Sequence, residues 1–369
     1  MKESVEVLFK LLRIALGNES DYSLPSSVNW KEVIDLSFEQ GVAALAVDGL
    51  QKIYDEIADQ VRNDALEELD SPPLEDLKYE WFGEVMNCEQ EYASQWASAC
   101  EMANLYKKNG IRMVVVKGFS VAQYYPVPSH RSCGDLDCFL MGNYEKGNAL
   151  IEAAGIEVER ELYKHSKFVY KGLVVENHQF CTAVRGSKKA KRLERYLQDI
   201  IAYDSPKYIG DSALESSNPM FSALFLTIHA LRHFLSEGLS LRHICDWAVL
   251  IRSEEAAIDW KVFDEKCREF GLLRFAQSMT RLAYKVCGVR VGWMPEVDLQ
   301  DSDVRLLNEI ITRGDVEHIS GNAWKQRWIQ IKNIAGCGWK YRLFGDRSAL
   351  GDLWVLITGF LFDRKPSLS

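Results

Sequence analysis

Nowhere in the 369 residues is there a window approaching the roughly 18 uncharged apolar residues that a membrane-spanning helix needs. The opening stretch, Met1-Lys-Glu-Ser-Val-Glu-Val-Leu-Phe-Lys10, carries acids within it and lacks an apolar core of signal-peptide length. No C-x-x-C pair occurs. Nine cysteines are scattered, an odd number that reads as reduced thiols and argues against structural zinc. Positive charge is in deficit: 44 Lys and Arg against 53 Asp and Glu leave a formal charge of −9, which argues against non-specific coating of nucleic acid. No repeat at solenoid period is present. What these absences leave is a cytoplasmic protein with no membrane partner. Apolar residues make up 47% of it, enough for a large core.

The pattern of apolar residues divides the chain into three regions, 1–108, 109–215 and 216–369. The first reads as helical. Val5, Leu8, Leu11, Leu12 and Ala15 recur at helical spacing, and Ser27-Val28-Asn29 offers the start of a helix running through Val33, Leu36 and Ala43. After Pro72-Pro73 a long helix is expected from Leu74 to Lys108, burying Trp81, Val85, Tyr92, Trp96, Ala99, Met102 and Leu105, and ending at Asn109-Gly110. At Ile111 the texture changes. Ile111–Val116 reads as a strand inside a sheet, followed by a short helix to Tyr125, a strand over Leu136–Leu140 and a helix over Tyr144–Ala154. His165–Tyr170 and Leu173–Phe180 flank Lys171-Gly172 as a hairpin with a two-residue turn. Helices resume near Pro219: Phe221–Leu235, Leu241–Ile251, Trp260–Phe270, Leu272–Cys287, then Trp-rich helices to about Phe362. The fold class expected is α+β, a small mixed sheet embedded in a predominantly helical chain.

Chemistry concentrates in Arg131-Ser-Cys-Gly-Asp-Leu-Asp-Cys-Phe-Leu140. Alternate residues of a strand share a face, so Asp135 and Asp137 point together while Leu136 and Cys138 turn into the core. Two carboxylates side by side repel, and a divalent cation relieves them; Mg²⁺ favours one or two carboxylates completed by substrate phosphates. Upstream, Gly118-Phe119-Ser120 follows a buried strand and opens a helix, a place where backbone N–H groups approach phosphate. Val116-Lys-Gly-Phe-Ser120 followed by Gly134-Asp-Leu-Asp-Cys138 resembles the nucleotidyltransferase superfamily with a polymerase-β-like fold. The Lys-Gly element, the Tyr-Pro loop and Arg131-x-x-Gly-Asp-x-Asp137, with His229, His233 and Leu241–Trp247 downstream, resemble more closely the bacterial uncharacterised nucleotidyltransferases. The likeness spans about residues 110–250. It departs from the superfamily at Phe119, which separates Gly118 from Ser120.

The resemblance implies a nucleotidyltransferase that uses Mg²⁺ or Mn²⁺ and an NTP to place an NMP on a hydroxyl acceptor, releasing pyrophosphate. Asp135 and Asp137 would hold metal. A third carboxylate is expected from a neighbouring strand, where Val174, Glu176 and His178 share a face; Glu176 is the acid there, as metal ligand and as, or orienting, the base. Gly118 and Ser120 would cradle phosphates, and Lys117, Arg131, His229 and Arg242 would contact the nucleotide. Each has a plainer reading. Arg131 is also a possible clamp on its loop, Arg242 and Asp246 a helical ion pair, His229 and His233 ordinary packing on one helix face without the glutamate of a zinc peptidase. Lys188-Lys-Ala-Lys-Arg192 reads as a solvated helix face or a landing site for RNA. The acceptor (small molecule, protein or RNA) is open. The rival readings are an inactive nucleotide-binding regulator of the same fold and a toxin-like or tRNA-modifying transferase.

Overall fold

The computed structural model describes residues 2–61, 75–160, 164–182, 188–202, 205–236, 238–313 and 338–345. The N-terminal helices follow from their apolar spacing: α1 (Glu3–Ala15) buries Val5, Leu8, Phe9, Leu11, Leu12 and Ala15. Asn29 caps α2 (Trp30–Glu39), its side-chain oxygen accepting from the Glu32 backbone N–H. The single helix expected through Ala43 is two. Gln40 leaves the helix to serve others, its amide oxygen accepting from the Leu241 N–H at 2.9 Å and its nitrogen donating to the Ile310 carbonyl at 3.0 Å. Gly41 then takes φ 63°, a left-handed value, before α3 (Ala43–Val61) begins. α4 (Glu75–Lys108) is the long helix the sequence predicts, with Trp81, Ala99 and Met102 buried and Val85, Tyr92, Trp96 and Leu105 half-buried.

The sheet has six strands: β1 (Val114–Val115), β2 (Asp135–Phe139), β3 (His165–Tyr170), β4 (Leu173–His178), β5 (Lys207–Tyr208) and β6 (Glu215–Ser216). Their spatial order is β3-β4-β2-β1-β6-β5. β2 runs parallel to β4 and antiparallel to β1; β1 runs parallel to β6. Of the expected strand over Ile111–Val116, Val114 and Val115 form the regular ladder, and the Val116 N–H donates to the Asp137 carbonyl at 3.1 Å. The β3–β4 hairpin turns on Lys171 (φ 48°) and Gly172 (φ 83°), two left-handed residues in succession, the geometry that matches hairpin twist. Between these strands lie α5 (Phe119–Ala122), α6 (Tyr144–Ala153) and α7 (Lys188–Ala202). The hairpin of β5 and β6 was not predicted.

Two apolar cores flank the sheet. On one face Leu136, Cys138, Val115, Val175 and Phe168 pack with Ala99, Met102 and Tyr106 of α4 and Ile151 of α6. The other core joins the N-terminal helices to those that follow the sheet: α8 (Pro219–Ser236), α9 (Leu241–Ser253), α10 (Trp260–Phe270), α11 (Leu273–Cys287) and α12 (Asp301–Arg313). α1 and α2 thus share one interior with α8–α12, and β6 crosses position 215. A last described helix covers Gly338–Phe344; most of the Trp-rich stretch expected to reach Phe362 lies outside the described residues.

Gly49 of α3 packs directly on the backbone of α1, where an added Cβ would meet the Leu11 carbonyl oxygen at 2.1 Å. Gly49→Ala gains helix propensity of roughly 1 kcal/mol but forces the two helices apart. We expect a net loss of about 1–3 kcal/mol, measured as a lower urea midpoint with unchanged m-value.

A candidate metal and nucleotide site

Parallel pairing of β2 with β4 sets Asp137 opposite Glu176 and Asp135 opposite Val174. The three carboxylates Asp135, Asp137 and Glu176 each present an oxygen within 4.8 Å of the others. Asp137 is 2% exposed at its side chain, Glu176 19% and Asp135 34%. The cluster therefore runs from buried to open, with Asp135 at its solvent edge. Its oxygen-only donor set suits a hard cation such as Mg²⁺. Asp137 Oδ2 is buried and has no aligned hydrogen bond, although Lys117 Nζ lies 2.7 Å from it as an ion pair.

Lys117 is the counter-charge of this cluster. It follows β1, and its ammonium lies 2.7 Å from Asp137 and 3.6 Å from Asp135. Burial alone would lower its pKa; Asp137 and Asp135 hold it above the ordinary lysine value. Asp137 shows the reciprocal balance. Burial would raise its carboxyl, but the Lys117 charge and a 2.8 Å contact with His178 Nε2 hold it well below the usual range. Glu176 goes the other way: burial, then the charges of Asp137 and Asp135, push it up to about 7. Three adjacent carboxylates cannot all ionise cheaply, and Glu176 is the one that yields.

The remaining predicted residues fall into two groups. His229 belongs to the cluster, its Nε2 being 3.5 Å from Lys117 Nζ. Its ring continues an aromatic lane from His178 through Phe225 to His229, His233 and His243, with centroid separations between 4.3 and 6.5 Å. Burial, then Lys117 and His233, hold His229 well below its ordinary pKa, so the ring is neutral. Gly118 takes φ 62° at the start of α5, and a Cβ there would sit 3.5 Å from the Asp135 carbonyl. Only glycine enters this turn without strain.

Ser120, Arg131 and Arg242 are engaged by partners other than the three carboxylates. The Ser120 hydroxyl is buried against Ser216 Oγ at 2.9 Å. Arg131 grips Asp246 of α9 with Nε and Nη2 at 3.1 and 2.7 Å, and Tyr125 Oη donates to the same carboxylate at 2.8 Å. This buried clamp pins the loop before β2 to the helical core. Asp246 is therefore the partner of Arg131 across 115 residues. Arg242 lies beside Gly41 and donates to the Ser132 carbonyl. Sequence reasoning assigned no role to His178, His165 or Ser216. The period-2 signal from Glu176 reaches His178, but β3 register alone brings His165 opposite it.

The family model described as "Uncharacterised nucleotidyltransferase" matches residues 26–288. The chain belongs to that family. The match covers the sheet, the carboxylate cluster and the helices from α2 to α11, well beyond the segment that carries the motifs. No curated protein and no solved structure matches the chain. As a family member it has a nucleotidyltransferase fold and a set of acidic and histidine side chains fit for a divalent metal. Among the described residues no helix is long and apolar enough to cross a membrane.

Two measurements check this geometry. In metal-free protein Glu176 keeps its proton up to about pH 7, whereas in the unfolded chain it titrates near its ordinary 4.5. Its stabilising effect is complete below about 4.5 and is lost as pH rises through 7. Between the two the folded state binds the extra proton, so stability should fall with rising pH by on the order of 3 kcal/mol. Denaturation in EDTA across that window should show the decline in wild type and a flatter profile in Glu176→Gln. Separately, Arg131→Met should cost about 3–5 kcal/mol by stranding Asp246, read as a large drop in melting temperature.

Proposed function

We propose that the chain transfers a nucleoside monophosphate from an NTP to a hydroxyl acceptor, with Mg²⁺ or Mn²⁺ as the metal. The observation that carries the reading is the β2–β4 register, which sets Glu176 beside Asp137, in a chain of a nucleotidyltransferase family. Asp135 and Asp137, with Glu176, are the residues that would hold the ion. When bound, such an ion neutralises charge on the triphosphate and favours the ionised hydroxyl. The acceptor oxygen attacks the α-phosphorus, the bond to the bridging β-phosphate oxygen breaks, and pyrophosphate departs. The hydroxyl proton passes toward Glu176, which takes it or orients the group that does.

Lys117 has two states in this reading. Without nucleotide it neutralises Asp137; with nucleotide its ammonium turns to the phosphates that arrive over the Gly118 turn. His229, neutral and 3.5 Å from Lys117, supports that movement from α8. Phosphate contacts from Ser120, Arg131 and Arg242 carry less weight, since the Ser120 hydroxyl is spent on Ser216, Arg131 on Asp246, and Arg242 reaches back to Ser132. Backbone N–H groups after Gly118 are the better phosphate donors here. We place the transfer machinery in residues 109–215, the flanking helices serving as walls, and a cytoplasmic location suits an NTP substrate.

One observation favours a second reading, a nucleotide-binding protein without transfer activity: Lys117 already occupies the counter-ion position on Asp137. Incubation with each α-labelled NTP, Mg²⁺ and cell extract separates them. The transferase reading predicts label on an acceptor and pyrophosphate release, both reduced at least 100-fold in Asp135→Ala and Asp137→Ala. Metal-dependent NTP binding with no label transferred would establish the second reading instead.

A further inference from the structure

Beside the carboxylates lies a second constellation with different chemistry. His165 of β3 and His178 of β4 face each other in the strand register, and Glu176 sits two residues before His178 on the same face. One ligand atom from each lies within 4.8 Å of the others. Glu176 Oε1 is 3.6 Å from His165 Nε2, and its Oε2 is 3.7 Å from His178 Nε2. Both separations are too long for hydrogen bonds. They are close to the spacing of about 3–3.5 Å between two ligands that each lie about 2.1 Å from one ion.

The proton inventory of His178 points the same way. Its Nδ1 is 3.2 Å from the Phe180 carbonyl oxygen and its Nε2 is 2.8 Å from Asp137 Oδ1. Both neighbours only accept, and a neutral imidazole has one N–H to give. In the empty site Nε2–H donates to Asp137, which leaves Nδ1 facing the Phe180 carbonyl without a proton; a cation taken up on Nε2 would move that proton to Nδ1, where Phe180 accepts it. A metal-bound histidine has this arrangement, one nitrogen on the ion and the other donating to a backbone carbonyl. His178 itself is 1% exposed at its side chain.

We infer that His165, Glu176 and His178 form a second cation site, taking a divalent transition metal such as Mn²⁺, Co²⁺ or Zn²⁺ in preference to Mg²⁺. Imidazole nitrogen binds Co²⁺ and Zn²⁺ strongly, Mn²⁺ more weakly and Mg²⁺ poorly, since Mg²⁺ prefers oxygen and retains its water. The site shares Glu176 with the proposed transfer centre, whose two carboxylate oxygens are divided between the imidazoles. The inference rests on that shared residue and does not require nucleotide transfer to occur.

The test uses the full chain without nucleotide, loaded with one equivalent of Mn²⁺ and held in a large excess of Mg²⁺. Pulsed electron paramagnetic resonance reads whether bound Mn²⁺ couples to imidazole ¹⁴N. The inference predicts ¹⁴N coupling in wild type, persisting in Asp135→Asn, which touches only the carboxylate cluster. His165→Ala and His178→Gln should lose the coupling and bind Mn²⁺ at least tenfold more weakly, with circular dichroism confirming the fold. Wild-type protein that binds Mn²⁺ without ¹⁴N coupling, or releases it to Mg²⁺, overturns the inference. Neither result depends on variants folding, and neither touches the label-transfer assay, so failure of this site and failure of the transferase reading are separately visible.

Discussion

Mutual repulsion among Asp135, Asp137 and Glu176 is the constraint around which this molecule is arranged. Three carboxylates converge within 4.8 Å on one face of a sheet, in a setting where charge is expensive. Each neighbour reduces that cost. Lys117 brings an ammonium to the deepest aspartate, His178 contacts its other oxygen, and Glu176 retains a proton. The sheet face behind them is apolar and packed on α4 and α6, so the strands cannot slide apart to relieve the strain. A rigid, poorly neutralised carboxylate cluster is poised to gain from a divalent ion, and the protein keeps it poised by holding the strand register.

That register depends on features distant from the chemistry. The loop entering β2 is anchored by Arg131 on Asp246, so the start of the aspartate strand is tied to α9. His130, one residue earlier, reaches Asp48 of α3 and Glu89 of α4. The two residues therefore fasten this loop to both helical sides of the fold. The helices that precede and follow the sheet close into one interior, and the family match over residues 26–288 extends across them. The helical regions are thus part of what positions the site.

Much of this was legible in the sequence because it is written in local patterns. The alternation of Asp135 and Asp137 with Leu136 and Cys138 fixed their faces, and Lys171-Gly172 announced the hairpin that delivers Glu176. What was not legible joins residues far apart along the chain. Nothing local to Arg131 indicates that its partner is Asp246, or that Ser216 waits for the Ser120 hydroxyl. Strands β5 and β6 have two residues each, too few to show any period. Gln40 looked like a continuation of its helix because its role, capping α9, is set 201 residues later. The histidines fall between these cases: His178 follows Glu176 by a strand period, while His165 meets it only through register.

The central claim is that Asp135, Asp137 and Glu176 hold a divalent ion beneath a nucleotide. The most direct measurement is a crystal structure of the full chain with Mn²⁺ and a non-hydrolysable NTP, located by anomalous scattering. The account predicts a manganese peak bounded by oxygens of these three carboxylates, with Lys117 drawn off Asp137 toward the phosphates. A nucleotide bound elsewhere, or Lys117 still seated on Asp137 with no metal between the carboxylates, would contradict it.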